Sequence, residues 1–356
     1  MKKIFAIVLT TATMAACTNS TKYTISGTDA TFEDGITAYI EVPTGNRTTE
    51  KIDSVTIVNN SFVFKGEVTE AKKAYITIGE GRDGIYIPLF LEAGDIKIAK
   101  ANPEDRSFTI TGTTSNDILA GAEAHIAELE KQYREAAEAG DSEKADGIEE
   151  QINSFTKNFT IENITNLAGQ DNLKSIYYML EPQELLDIIA KVPAEKAEEF
   201  ANMKENAEKA LKVQPGNPYI DVVEKTPEGK ELSLKSVVEN GKNKYVLLDF
   251  WASWCGPCMR EVPYLIETYK AFHKKGFEIY GVSFDRAEDA WLKAIKEKEL
   301  NWLHVSALKM WDNQARADYA VNSIPANFLI DCSTGEIIAK GLRGEDVKAK
   351  MEELLK

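Results

Sequence analysis

Residues 245–263 read YVLLDFWASWCGPCMREVP: an apolar run broken only by Asp249, then two cysteines, Cys255 and Cys258, separated by Gly256 and Pro257. The run from Lys244 to Trp251 reads as a buried strand, and MREVPYLIETYKAFHKKG after it as an amphipathic helix. A Cys-x-x-Cys at such a junction can hold a metal, staple the fold or exchange electrons. Structural zinc takes four ligands, and no second pair stands at suitable spacing: Cys332 is alone, and His125, His273 and His304 are scattered. A disulfide closing so small a loop removes little chain entropy and makes a poor staple. Redox exchange suits the setting better, because unpaired backbone N–H groups and the positive end of the helix dipole both stabilise a thiolate at Cys255. Pro257 fits the first helical turn, where its missing N–H costs nothing.

Working outward, VQPGNP at Val213–Pro218 reads as a linker. Beyond it strand and helix alternate: FEIYGVSFD is a second strand, ANFLID and EIIAKGL a hairpin, and GEDVKAKMEELLK a closing helix. Residues 214–356 are therefore an α/β domain. Upstream, residues 23–113 hold short alternating runs such as TAYIEV, SFVFKGEV and KAYITIG between Gly, Asn and Asp turns, the pattern of an antiparallel, sandwich-like β domain. Residues 114–213 form a helical region, with Ile118, Ala122, Ile126, Leu129 and Tyr133 along one face and Ile148, Ile152, Phe155 and Phe159 along another. Gly140-Asp141-Ser142 and the Pro193 region interrupt it, and its charged residues read as a solvated face.

The chain opens with MKKIFAIVLTTATMAAC. Two lysines, an apolar run and small residues have the layout of a secretory signal over residues 1–16. Its removal takes the net charge from −15 to −17, since those residues hold two lysines and no acid. That balance disfavours nucleic acid or anionic lipid heads as partners. With 356 residues, 43% of them hydrophobic, the chain can bury two or three ordinary cores.

WCGPC after an apolar strand resembles the active-site motif of the thioredoxin fold. Asp249, six residues before Cys255, falls where thioredoxins carry a buried acid. Pro263, five after Cys258, falls at their helix kink. Ile324-Pro325, ahead of ANFLID, matches the loop whose cis-proline packs beside the disulfide. Within that fold the domain looks like the TlpA/ResA branch of envelope thiol-disulfide oxidoreductases. Glu261 and the long segment from Asp285 to Val321 carry that likeness. The segment is expected to hold an extra helix around AEDAWLKAIKEKE and an extra strand around WLHVSA. Met14-Ala15-Ala16-Cys17 resembles a lipoprotein box, which implies a lipid on Cys17 and a tether over residues 17–22. The β domain and helical region resemble the amino-terminal part found ahead of such domains in Gram-negative lipoproteins.

The resemblance implies that Cys255 attacks a partner's disulfide and Cys258 resolves the mixed disulfide, with Asp249 first and Glu261 second as acceptor of the Cys258 proton. Glutamate at the Glu261 position helps tune the pair in ResA-like proteins. Trp254, Gly256, Pro257, Ile324 and Pro325 are expected to meet the substrate, with the Ile324 backbone open to an extended segment. The implied partners are envelope proteins with disulfides or thiols, a membrane electron donor, the lipid anchor and, from precedent in such proteins, a second copy of the chain. No cofactor or metal is expected beyond the redox-active disulfide. Strong oxidants of this fold carry a His where Gly256-Pro257 stands. Its absence favours the reducing end of a scale running from about −270 mV for thioredoxin to about −120 mV for DsbA. Isomerase or oxidase activity is the alternative. A peroxiredoxin-like site needs Pro and Thr where Leu248 and Ala252 stand. In a different class, the β domain would be a binding module and the redox domain its passenger. Cys332, in the turn DCSTGE, is expected to be a free surface thiol remote from the site.

Overall fold

The computed structural model describes residues 21–356 apart from 46–47, 80, 82–83 and 101–106. The expected signal, Cys17 and the start of the tether lie outside the described residues. No helix among the described residues is long and apolar enough to cross a membrane. The chain divides into two compact units, Met1–Tyr178 and Met179–Lys356. The helices expected as one region over 114–213 are therefore shared between the units.

In the first unit, β1 (Lys22–Thr28), β4 (Ser61–Glu67), β7 (Gly94–Ala99) and β8 (Thr109–Thr111) form a sheet of order β4-β1-β7-β8. A second sheet has the order β3-β2-β5-β6, from β2 (Thr37–Gly45), β3 (Thr48–Thr56), β5 (Lys72–Ile78) and β6 (Ile85–Leu91). Burial alternates along β1, β2 and β5, so one face of each strand supplies the core. Ile25, Phe64 and Ile96 from one sheet pack in one cluster with Ile40, Ile76 and Ile87 from the other. The pairing is antiparallel except between β1 and β7, which run parallel. Three helices follow: α1 (Thr114–Glu138), α2 (Ser142–Asn163) and α3 (Leu167–Ile176). Gly140 ends α1 in the left-handed region at φ 74°, and the Asp141 carboxylate caps α2 by accepting from Lys144 N at 3.1 Å. Buried Asn116 ties α1 to β6, accepting from Phe90 N at 3.0 Å and donating to Phe90 O at 2.8 Å.

The second unit begins with α4 (Pro182–Ile189) and α5 (Ala201–Leu211). Val213–Pro218, expected as a linker, is instead pinned: Val213 is buried, Gly216 N donates to Ile337 O at 2.8 Å, and Ile337 N donates to Asn217 O at 2.8 Å. The sheet that follows has the order β10-β9-β13-β12-β11-β14-β15. Its strands are β9 (Val223–Lys225), β10 (Glu231–Ser233), β11 (Tyr245–Trp251), β12 (Phe277–Ser283), β13 (Leu303–Ser306), β14 (Ala326–Asp331) and β15 (Glu336–Lys340). The helices are α6 (Leu234–Val238), α7 (Gly256–Phe272), α8 (Glu288–Glu297), α9 (Gln314–Asp318) and α10 (Glu345–Leu354). β11, β12 and β13 run parallel; β14 and β15 complete the sheet antiparallel. Parallel central strands are covered on both faces, which is why β11 and β12 are buried nearly end to end and their sequences do not alternate. This is a thioredoxin-like α/β domain, with α8 and β13 where the extra helix and strand are expected.

Candidate active site

β11 delivers the chain to the site at its carboxyl end, and the loop 252–255 turns it into α7. That loop is anchored from beneath by a residue sequence reasoning did not single out. Asp285, buried just past β12, accepts from Ser253 N at 2.9 Å, from the Ser253 hydroxyl and from the Ser283 hydroxyl at 2.7 Å. A buried carboxylate met by three donors holds the backbone ahead of the cysteines in one arrangement.

Cys255 is the N-cap of α7 and is joined to Cys258 as a disulfide. The Cys258 N–H is directed at Cys255 Sγ at 3.1 Å. On reduction that amide and the helix dipole favour charge on Cys255. Gly256 and Pro257 are exposed, and Pro257 lies in the first turn of α7. Cys255 Sγ also lies 3.7 Å from Ile324 O, and the Ile324-Pro325 peptide is cis.

Trp254 stands 49% exposed beside the disulfide, while Trp251 is buried in the core. Trp311, which no sequence signal marked, joins Trp254 at 6.4 Å between ring centroids and rests edge-on against Phe284. Together the two half-exposed indoles form an aromatic shelf next to the sulfurs.

Behind the disulfide, Asp249, Cys258, Glu261, Pro325, Trp251 and Trp302 share the wall of one small cavity of about 10 Å³. Asp249 is buried, and burial pushes its carboxyl up to about 7; the Arg343 guanidinium opposes that rise and the Glu261 carboxylate adds to it. Glu261 is half-buried and accepts from Gly344 N at 2.7 Å. Arg343 is the third residue missed. It donates to Pro325 O and, at 2.9 Å, to Leu342 O. Asn327 holds the same segment, donating to Leu342 O at 2.8 Å and accepting from Leu342 N at 2.9 Å. The stretch Leu342–Gly344 thus clasps the proline loop and Glu261, and it brings a cation that opposes the effect of burial at Asp249. Nothing in a lone arginine after a strand announces this, because the contact is made by tertiary packing.

Cys332 departs from expectation. It is half-buried against the core, and its thiol is pushed up to about 12, by burial first and then by the Asp331 carboxylate.

A helix-capping cysteine in a Cys-Gly-Pro-Cys loop, a buried acid behind its partner and a cis-proline across from it define a thioredoxin-like thiol-disulfide oxidoreductase. Comparison with known proteins agrees. A family described as thioredoxin-like matches residues 243–337, and a domain of unknown function (DUF4369) matches residues 23–119. The thiol-disulfide oxidoreductase ResA of Bacillus thuringiensis subsp. konkukian is 34% identical over 148 residues, which cover 42% of this chain and 80% of that protein. ResA of Bacillus subtilis is 31% identical over 119 residues, 33% of this chain and 63% of that protein. Among solved structures, the thioredoxin domain of a thiol-disulfide oxidoreductase from Bacteroides vulgatus is 38% identical, over 40% of this chain and 99% of that one, with a TM-score of 0.37. The chain belongs to the ResA-like family of thiol-disulfide oxidoreductases.

Proposed function

We propose that this oxidoreductase reduces disulfides of envelope proteins, held to the membrane by a lipid on Cys17 and recharged by a membrane electron donor. Reduced Cys255 attacks one sulfur of the partner's disulfide, forming a mixed disulfide and releasing the partner's other sulfur as thiolate. Cys258 then gives its proton to Asp249 and attacks Cys255 Sγ, which releases the partner's second thiolate and leaves Cys255–Cys258 oxidised. The observation that carries this reading is the Cys258 N–H aimed at Cys255 Sγ, with Cys258 itself on the cavity shared with Asp249. Gly256-Pro257, with no imidazole to stabilise the leaving thiolate, supports the reducing direction. Ile324, Pro325, Trp254 and Trp311 offer an extended partner segment a backbone edge and an aromatic shelf. The amino-terminal β domain serves as spacer or docking element.

The equilibrium potential of the pair in glutathione and dithiothreitol buffers, with Cys332→Ser in the background, tests the direction. A value near the thioredoxin figure of about −270 mV is expected; one of about −150 mV or above means an oxidase or isomerase. Fatty-acid labelling that is lost in Cys17→Ser tests the anchor.

A further inference from the structure

Trp251 Nε1, Trp302 Nε1 and His304 Nδ1 are buried and have no hydrogen-bond partner among the described residues. Trp251 and His304 are 4% exposed and Trp302 is 9% exposed. Buried polar atoms are ordinarily satisfied, so three in one place require an explanation. They converge on a single point. A side-chain carbon built on Gly281 would stand 3.0 Å from His304 Nδ1, 3.1 Å from Trp251 Nε1 and 3.4 Å from Trp302 Nε1. The missing side chain of Gly281 is therefore the floor of a niche walled by three nitrogens.

The niche adjoins the active site. Asp249 on β11 pairs with Gly281 on β12, and Gly281 pairs with His304 on β13. Directly paired residues of parallel strands point to the same face, about 4.8 Å apart. Asp249, Trp251 and Trp302 also line the cavity that reaches Cys258.

The donor pattern selects the occupant. His304 Nε2 lies 3.2 Å from Leu300 O, a pure acceptor, so Nε2 carries the proton and Nδ1 presents a lone pair. Burial pushes His304 down to about 4, which keeps the ring neutral near pH 7. Each indole N–H can only donate. An anion would face the Nδ1 lone pair, a metal ion would face two N–H groups, and an alkyl group would leave all three unpaired. A water accepts from both indoles, donates one O–H to His304 Nδ1 and keeps one O–H for a further acceptor.

We propose that Trp251, Trp302 and His304 hold one buried water over Gly281, and that its remaining O–H donates to the Asp249 carboxylate. The water then stabilises ionised Asp249, alongside Arg343 and against Glu261. His304, Trp251 and Trp302 are positioning residues that act through it. This role rests on Asp249 being the acceptor of the Cys258 proton. Besides the water, the groups facing Asp249 are Cys258 and Glu261 from α7 and Arg343 from the segment before α10.

Two measurements on the full chain test this. A crystal structure that resolves ordered solvent should show a water within about 3.2 Å of all three nitrogens; empty density there overturns the site, whatever Asp249 does. The pH profile of mixed-disulfide resolution should have its midpoint near 7, rising by about one unit in His304→Phe and by less in Trp302→Phe, which keeps a ring and deletes one donor. In an Asp249→Asn background neither substitution should move the profile. An unmoved midpoint with water in place overturns the link to Asp249. A midpoint that persists in Asp249→Asn alone overturns the proton-acceptor role and the water's part in it. Should a variant fail to fold, the wild-type density decides.

Discussion

At the amino end of α7, Cys255 Sγ receives the Cys258 N–H at 3.1 Å, whereas in the β14–β15 turn Cys332 lies against the core beside Asp331, its thiol pushed up to about 12. Both cysteines follow a buried strand, and both are accompanied by an aspartate. What separates them is what meets the sulfur. A helix start aims N–H groups at Cys255 and lowers the cost of a thiolate, while at Cys332 burial first, and then the Asp331 carboxylate, raise it. Reactivity belongs to the position in the fold, and residue type alone does not confer it.

The largest effects should come from removing the favoured sulfur. Cys255→Ser should cut disulfide reduction on the order of a thousandfold or more, while Cys258→Ser should accumulate a mixed disulfide that non-reducing gels detect. Comparable loss in Cys332→Ser would break the comparison.

Asp249→Asn should slow resolution of that mixed disulfide about a hundredfold and flatten its pH dependence near 7. It should also stabilise the protein. The folded carboxyl titrates at about 7 against an ordinary 3.8, so its contribution is fully present below about 3.8, declines as pH rises and is lost above about 7. Unfolding in urea should therefore show a gain for Asp249→Asn at pH 8 that is absent at pH 4, with roughly 4 kcal/mol as its upper bound.

Smaller and opposite shifts are expected from the flanking charges. Arg343→Met removes the opposing cation and should move the Asp249 midpoint up by about half a unit. Glu261→Gln removes a like charge, keeps an oxygen for Gly344 N and should move it down by a similar amount. Midpoints that move together would contradict the assignment of sign. The smallest effect is on Cys332 itself. Cys332→Ser should change exchange rates less than about twofold, and iodoacetamide should label native Cys332 far more slowly than reduced Cys255 at pH 8.

The Cys-Gly-Pro-Cys junction could be found from sequence because its cues are local: an apolar strand, two cysteines at fixed spacing and a proline in the first helical turn. The β units of the first half were visible for the same reason, through two-residue alternation. Other elements resisted. β7 pairs parallel with β1, a choice made by the route of the chain between sheets and not by its own residues. Val213–Pro218 carries the composition of a linker yet is drawn onto β15, because the packed hairpin accepts from Gly216 N and donates to Asn217 O through Ile337.

Local pattern, set by side-chain period, backbone restriction and turn chemistry, was enough to determine the α/β class and the reactive pair, while the proline loop and the buried acid were legible only through resemblance to the thioredoxin fold. Tertiary structure alone decided which charges act on that acid. Arg343 and Glu261 reach the acid from separate elements, and the row Asp249, Gly281, His304 exists only once three strands are in register. Hydrogen bonds require contact and charge interactions weaken with distance through space, so a residue's chemistry depends on spatial neighbours that sequence separation does not encode.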